Sequence, residues 1–119
     1  MKKNLLIFFT ILLLCGCNVK NKNDNLIIDC NKKDELLKNG AILIDVRTEE
    51  EYAVSHLNDS INIPVDEILD GVIKLNIKKK DIIVVYCNSG NRSIGAYREL
   101  KNNGFENVYD LGSMIKCVK

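Results

Sequence analysis

Two regimes of patterning divide the 119-residue chain. Lys2 and Lys3 precede an apolar run from Leu5 to Leu14, about half the ~20 residues that a membrane-spanning helix needs, so it reads as a signal-peptide core. Asn18 to Asn25 is polar and aperiodic, a tether. From Leu26 onward the apolar positions fall into short blocks. Leu26 to Asp29 predicts a short strand and Lys33 to Asn39 a helix stopped by Gly40. Ala41 to Val46 is a continuous apolar strand, of the kind covered on both faces. Thr48-Glu49-Glu50-Glu51 is a capping box opening a short helix, Ser60 to Ile63 is a third strand ended by Pro64, and Val65 to Leu75 has helical spacing despite Gly71. Ile82 to Tyr86 is a fourth strand, Ser93 to Asn102 a helix ending near Gly104, and Val108 to Leu111 a fifth strand. Strands that alternate with helices at this spacing predict an α/β domain, a parallel sheet with helices on both faces.

The end of the first apolar run refines its reading. Leu14-Cys15-Gly16-Cys17 places small residues just before a cysteine and resembles the lipobox of bacterial lipoprotein signals. That implies a signal over residues 1–16, a mature N-terminus at lipidated Cys17, a tether over 17–25 and one folded domain over 26–119. The protein is then expected outside the cytoplasm, held at a bacterial membrane by its acyl chains. With 17 basic and 16 acidic residues the charge is nearly balanced, so no nucleic acid or other polyelectrolyte partner is implied. Of the five cysteines, Cys15 leaves with the signal and Cys17 is lipidated. Cys30, Cys87 and Cys117 remain, an odd number, so at least one thiol stays unpaired in a monomer, the state expected here.

The chemistry is concentrated where the fourth strand ends. Cys87 is followed by Asn88, Ser89, Gly90 and Asn91, which let backbone amides turn toward one point, then by Arg92 and a helix start at Ser93. Amides, the positive end of the helix and a guanidinium all favour thiolate over thiol. A lone cysteine ending a strand is more often packing; joined to this loop it reads as a nucleophile. Only three of the 17 basic residues are arginine, and the planar fork of Arg92 suits an oxyanion. Asp45 with Arg47 is more simply a structural pair than a catalytic one, His56 is read as structural, and Lys78-Lys79-Lys80 as a solvated loop. No metal-binding spacing of cysteine and histidine is present.

Cys87 and Arg92, with Ile44-Asp45-Val46-Arg47, Ser55-His56-Leu57 and Ile61-Asn62-Ile63-Pro64 upstream, make residues 26–113 resemble a single-domain rhodanese, a sulfurtransferase. The resemblance implies a five-stranded parallel sheet in the order 1-5-4-2-3 and a persulfide on Cys87, with Asn88, Ser89, Gly90, Asn91 and Arg92 as the cradle and Asp45 and Arg47 flanking it. It implies no cofactor, a thiosulfate-like donor, and cyanide, a small thiol or a thioredoxin-like protein as acceptor. Departures are a short C-terminus, Cys117 about where tryptophan is frequent, and Ser55 and Ser60 where glycine and alanine are frequent. A noncatalytic persulfide carrier or protein-binding module is the alternative. Phosphatase or arsenate reductase is further off, because those loops hold five residues between cysteine and arginine and this one holds four. If the first, fifth and fourth strands are neighbours, Cys117 can reach Cys30 as a staple or Cys87 as a resolving thiol, or pair with neither.

Overall fold

The computed structural model describes residues 26–118, and in it Asp29 is a helix cap rather than the end of a strand. Its carboxylate accepts from the Lys32 amide at 2.8 Å, so the helix opens at once: α1 spans Cys30–Lys38, three residues earlier than the spacing predicts. The predicted first strand shrinks accordingly. Ile27 forms a single parallel bridge to Asp110, and the Ile28 amide donates to the Asp110 carbonyl at 2.9 Å.

The remaining elements follow the predicted order. They are β1 (Ile42–Asp45), α2 (Glu49–Val54), β2 (Ser60–Asn62), a 3-10 turn (Val65–Glu67) leading into α3 (Ile68–Lys74), β3 (Ile82–Cys87), α4 (Asn91–Asn102) and β4 (Asn107–Ser113). A second 3-10 turn, Met114–Cys117, closes the fold. Among the described residues the sheet therefore has four strands, all parallel, in the order β2-β1-β3-β4, rather than the expected five. The neighbour order is nevertheless that of 1-5-4-2-3, with the bridge at Ile27 standing in the place of the outermost strand. The physical reason for the shortfall is local. Once Asp29 caps α1, only Ile27 and Ile28 are left to extend along β4.

Side chains alternate across the sheet and build two apolar layers. Ile44, Ile83, Val85 and Cys87 pack with Val72 of α3 and with Ala96 and Leu100 of α4. On the opposite face Leu43, Val84, Tyr86 and Leu111 pack with Leu36 of α1 and Met114. Helices thus cover both faces, as the continuous apolar strands require. β3 lies between β1 and β4, so its carboxyl end opens at the middle of the sheet edge, where α/β folds place ligands. A register shift between Val85 and Tyr86 brings Cys87 opposite Ser113 and bends the end of β4 beside it.

Candidate functional site: the Cys87 loop

Cys87 is the last residue of β3 and has no exposed surface. Its Sγ accepts from the backbone amides of Gly90 at 3.0 Å and Ser93 at 3.3 Å. Gly90 makes this possible by standing in the left-handed region at φ 101°, where a side chain would be strained, and so turning its N–H back onto the sulfur. Ser93 lies in the first turn of α4, and its hydroxyl donates to the Gly90 carbonyl at 3.2 Å. The sulfur sits at the positive end of a twelve-residue helix, held by two N–H donors whose hydrogens a sulfur anion would accept.

The structure sorts the predicted loop residues by role. Gly90 reaches the sulfur; Asn88, Ser89 and Asn91 are exposed on the outside of the loop. Arg92 turns toward α2, where Nη1 donates to Glu51 Oε1 at 2.7 Å and Nη2 to Oε2 at 3.1 Å. Glu51 also completes the capping box, Oε1 accepting from the Thr48 amide at 2.9 Å. The Arg92 guanidinium, then the Thr48 amide, hold the Glu51 carboxyl down at about 2. Arg92 is raised in turn, mainly by Glu51, with Cys87 a further attractive charge. Glu51 therefore ties the start of α4 to the start of α2. In the sequence it reads as a helix cap alone, and nothing in a single sequence shows that its second oxygen meets Arg92.

Asp45 and Arg47 form a buried pair beneath this rim. Arg47 Nη2 donates to Asp45 Oδ2 at 2.7 Å and to the Ser55 carbonyl at 2.7 Å, and the Asp45 carboxylate also receives the Arg47 amide. Both side chains are engaged in holding the β1 end and the α2 exit. Ser60, one of the departures noted above, works in the interior. Its hydroxyl lies 3.1 Å from Tyr86 Oη and donates to the Leu57 carbonyl at 2.7 Å. Tyr86, buried beside Cys87 in sequence but facing the other layer, is pushed up to about 12, first by desolvation. His56 stacks on Tyr52 with ring centroids 3.8 Å apart and Nδ1 at 2.8 Å from the Tyr52 carbonyl, so it serves α2.

Of the three arrangements open for the remaining thiols, the structure holds the staple. Cys30 and Cys117 form a disulfide with Cα atoms 5.6 Å apart, and Cys87 is free. Cys117 packs in the layer of Leu36 and Tyr86, on the sheet face opposite Cys87, so the resolving-thiol arrangement is not the one adopted. The expected lipidation site, Cys17, the signal before it and the tether after it lie outside the described residues.

Comparison with known proteins follows the same lines. Residues 29–114 match the model of the rhodanese-like domain. The thiosulfate sulfurtransferase PspE of Escherichia coli (strain K12) is 35% identical over 71 residues, covering 60% of this chain and 68% of that protein. The tRNA uridine(34) hydroxylase of Buchnera aphidicola is 34% identical over 93 residues, 72% of this chain but 30% of that protein, so this chain spans less than a third of that relative. A solved structure of a rhodanese with anions from E. coli superposes with a TM-score of 0.61 at 32% identity, covering 65% of this chain and 91% of that one.

Proposed function

Since the chain belongs to the rhodanese-like domain family, we propose that it is a sulfurtransferase whose Cys87 carries sulfane sulfur as a persulfide. The observation that carries the reading is the buried Sγ at the strand end, receiving the Gly90 and Ser93 amides. In the first half-reaction the Cys87 thiolate attacks the outer sulfur of a thiosulfate-like donor. The new S–S bond forms as the donor's S–S bond breaks, and sulfite leaves with the bonding pair. The persulfide anion then transfers its terminal sulfur to cyanide, giving thiocyanate, or to a small thiol or thioredoxin-like thiol, whose proton passes to Cys87. Throughout, the two amides stabilise whichever sulfur carries charge. Intact mass after thiosulfate should rise by one sulfur atom and return after cyanide, and Cys87→Ser should form no thiocyanate above background. Thiocyanate formed by Cys87→Ser at the parent rate would overturn the assignment.

One observation favours a second reading, a persulfide carrier loaded by another protein. Arg92, the cation nearest the loop, has both terminal nitrogens engaged by Glu51, which weakens its pull on a free dianion. Mass gain from a protein persulfide but not from millimolar thiosulfate would select that reading. The same engagement, and the four-residue span from Cys87 to Arg92, argue against phosphate chemistry, and negligible phosphatase and arsenate reductase activity is expected.

The working place proposed for the domain is the outer side of a bacterial membrane, anchored through Cys17. The Cys30–Cys117 disulfide supports an oxidising compartment. Labelled fatty acid should enter the full chain and fail to enter Cys17→Ser; label retained in that variant would dismiss the anchor.

A further inference from the structure

Two acids are fully buried among the described residues, and only Asp45 is neutralised by an ion pair. The other, Asp110, stands near the end of β4 opposite Val85. Its Oδ1 accepts from the Gly112 amide at 2.9 Å, while Oδ2 has no hydrogen-bond partner among the described residues. An ionised oxygen in that position forgoes both water and a donor. Burial pushes the Asp110 pKa up against the Gly112 amide and Lys116; the Ser93 hydroxyl would oppose the rise as well only by donating to the carboxylate, and its one proton is on the Gly90 carbonyl.

The surroundings of this carboxyl lead to the sulfur by two routes. Gly112, fixed by Oδ1, is the backbone against which Gly90 rests: its Cα is the nearest atom, 3.9 Å, to the point where a Gly90 Cβ would stand. Ser93 gives its one hydroxyl proton to the Gly90 carbonyl and keeps lone pairs that a neutral Asp110 can address through Oδ2–H. Gly90 and Ser93 are the two residues whose amides hold Cys87 Sγ. We propose that Asp110 is a positioning residue of the sulfur cradle, acting as a neutral acid that holds Gly112 through one oxygen and Ser93 through the other. The inference deepens the sulfurtransferase reading and rests on it for its kinetic consequence only.

The groups that bear on Asp110 are few. α4 contributes Ser93, β3 the apolar Val85 opposite it in register, and the segment bridged to β4 only Ile27 and Ile28. The C-terminal turn contributes Lys116, whose ammonium donates to the Ile28 carbonyl at 2.9 Å.

The test uses the full chain and the rate at which iodoacetamide alkylates Cys87 as a function of pH, with thiosulfate-to-cyanide transfer measured beside it. Asp110→Asn keeps an acceptor for Gly112 and a donor toward Ser93, and is expected to follow the parent profile within about twofold. Asp110→Ala is expected to move the alkylation midpoint up by about one pH unit, roughly tenfold slower modification near neutrality. Ser93→Ala cuts the link to Gly90 without touching Gly112 and should move the midpoint the same way, which keeps the question answerable should Asp110→Ala fail to fold. Asp110→Asn as slow as Asp110→Ala would show that the charge is needed and overturn the proposal, as would a parent-like profile in Ser93→Ala or in folded Asp110→Ala. Alkylation needs only the thiol. Shifts of this pattern in a protein that transfers no sulfur would therefore sink the function and leave the cradle argument standing.

Discussion

At the scale of single residues, the site depends on one backbone conformation. Gly90 at φ 101° is what turns its amide onto the Cys87 sulfur, and a residue with a Cβ pays roughly 1–2 kcal/mol in that region. Gly90→Ala should therefore relax toward negative φ, withdraw the amide and slow both alkylation and sulfur transfer by about tenfold or more. A parent-like rate in a folded Gly90→Ala would show that the Ser93 amide suffices alone. Glu51 supplies a second residue-scale test, on acid stability. Its carboxyl titrates at about 2 in the folded chain against an ordinary 4.5, so the stabilisation is present above 4.5 and is lost as pH falls through about 2. The Tm deficit of Glu51→Gln should be greatest near neutrality and close between those two values; it is expected to be small, because the pair is about one-third exposed. A deficit constant from pH 7 to 2 would contradict the pairing with Arg92.

Elements were legible in the sequence wherever one local rule governed them. The continuous apolar runs gave β1 and β3, and the Thr48 capping box gave α2, because each depends on neighbours within a few residues. Failures came where a competing bond intervened, local or distant. Asp29, expected to end a strand, caps α1 through the Lys32 amide instead, which leaves only the bridge of Ile27 to β4 before it. Glu51 likewise fills its cap in the sequence, while its bond to Arg92 crosses 41 positions. Gly71 is the instructive case. By propensity alone it weakens α3, and alanine there should add about 1 kcal/mol of stability. The structure reverses the sign: a Cβ at Gly71 would stand inside van der Waals contact of Ile63 Cγ2, just past β2, a branch that clears it only by a χ1 rotation inside the packed α3 layer or by lifting the helix. Gly71→Ala should lower stability by roughly 1–3 kcal/mol, measured by urea unfolding, and a more stable variant would show that α3 can lift off Ile63 at little cost.

At the scale of the whole molecule the sheet divides the labour between its two faces. The α3 and α4 face carries the free thiol, and the α1 face carries the disulfide, so the reactive sulfur and the bonded pair are kept apart by the strands themselves. Three remaining cysteines and a shared sheet edge left staple, resolving thiol and no bridge all open; the face on which Cys117 packs decides among them, and face is set by the 3-10 turn after β4 rather than by spacing. The bridge joins residues 87 positions apart, from the first turn of α1 to the last turn of the described chain. Closing a loop of that length restricts the unfolded chain by about 4.5 kcal/mol in the entropy model, and natural disulfides of small domains are worth about 2–5 kcal/mol. Apart from the Lys116 bond to the Ile28 carbonyl, little else pins this end: Ile115 and Val118 are exposed, and Met114 is the one buried residue of the closing turn. Cys30→Ser and Cys117→Ser should each lower Tm by roughly 10 °C or more, and by the same amount as reductant lowers that of the parent. Because Ser113 lies opposite Cys87 in register, loss of the staple should also loosen the β4 end and slow alkylation of Cys87, whereas a resolving thiol would leave that rate unchanged or raise it when removed. Full stability with slowed alkylation would confine the staple to holding the β4 end, and unchanged Tm together with unchanged alkylation would remove it from both roles.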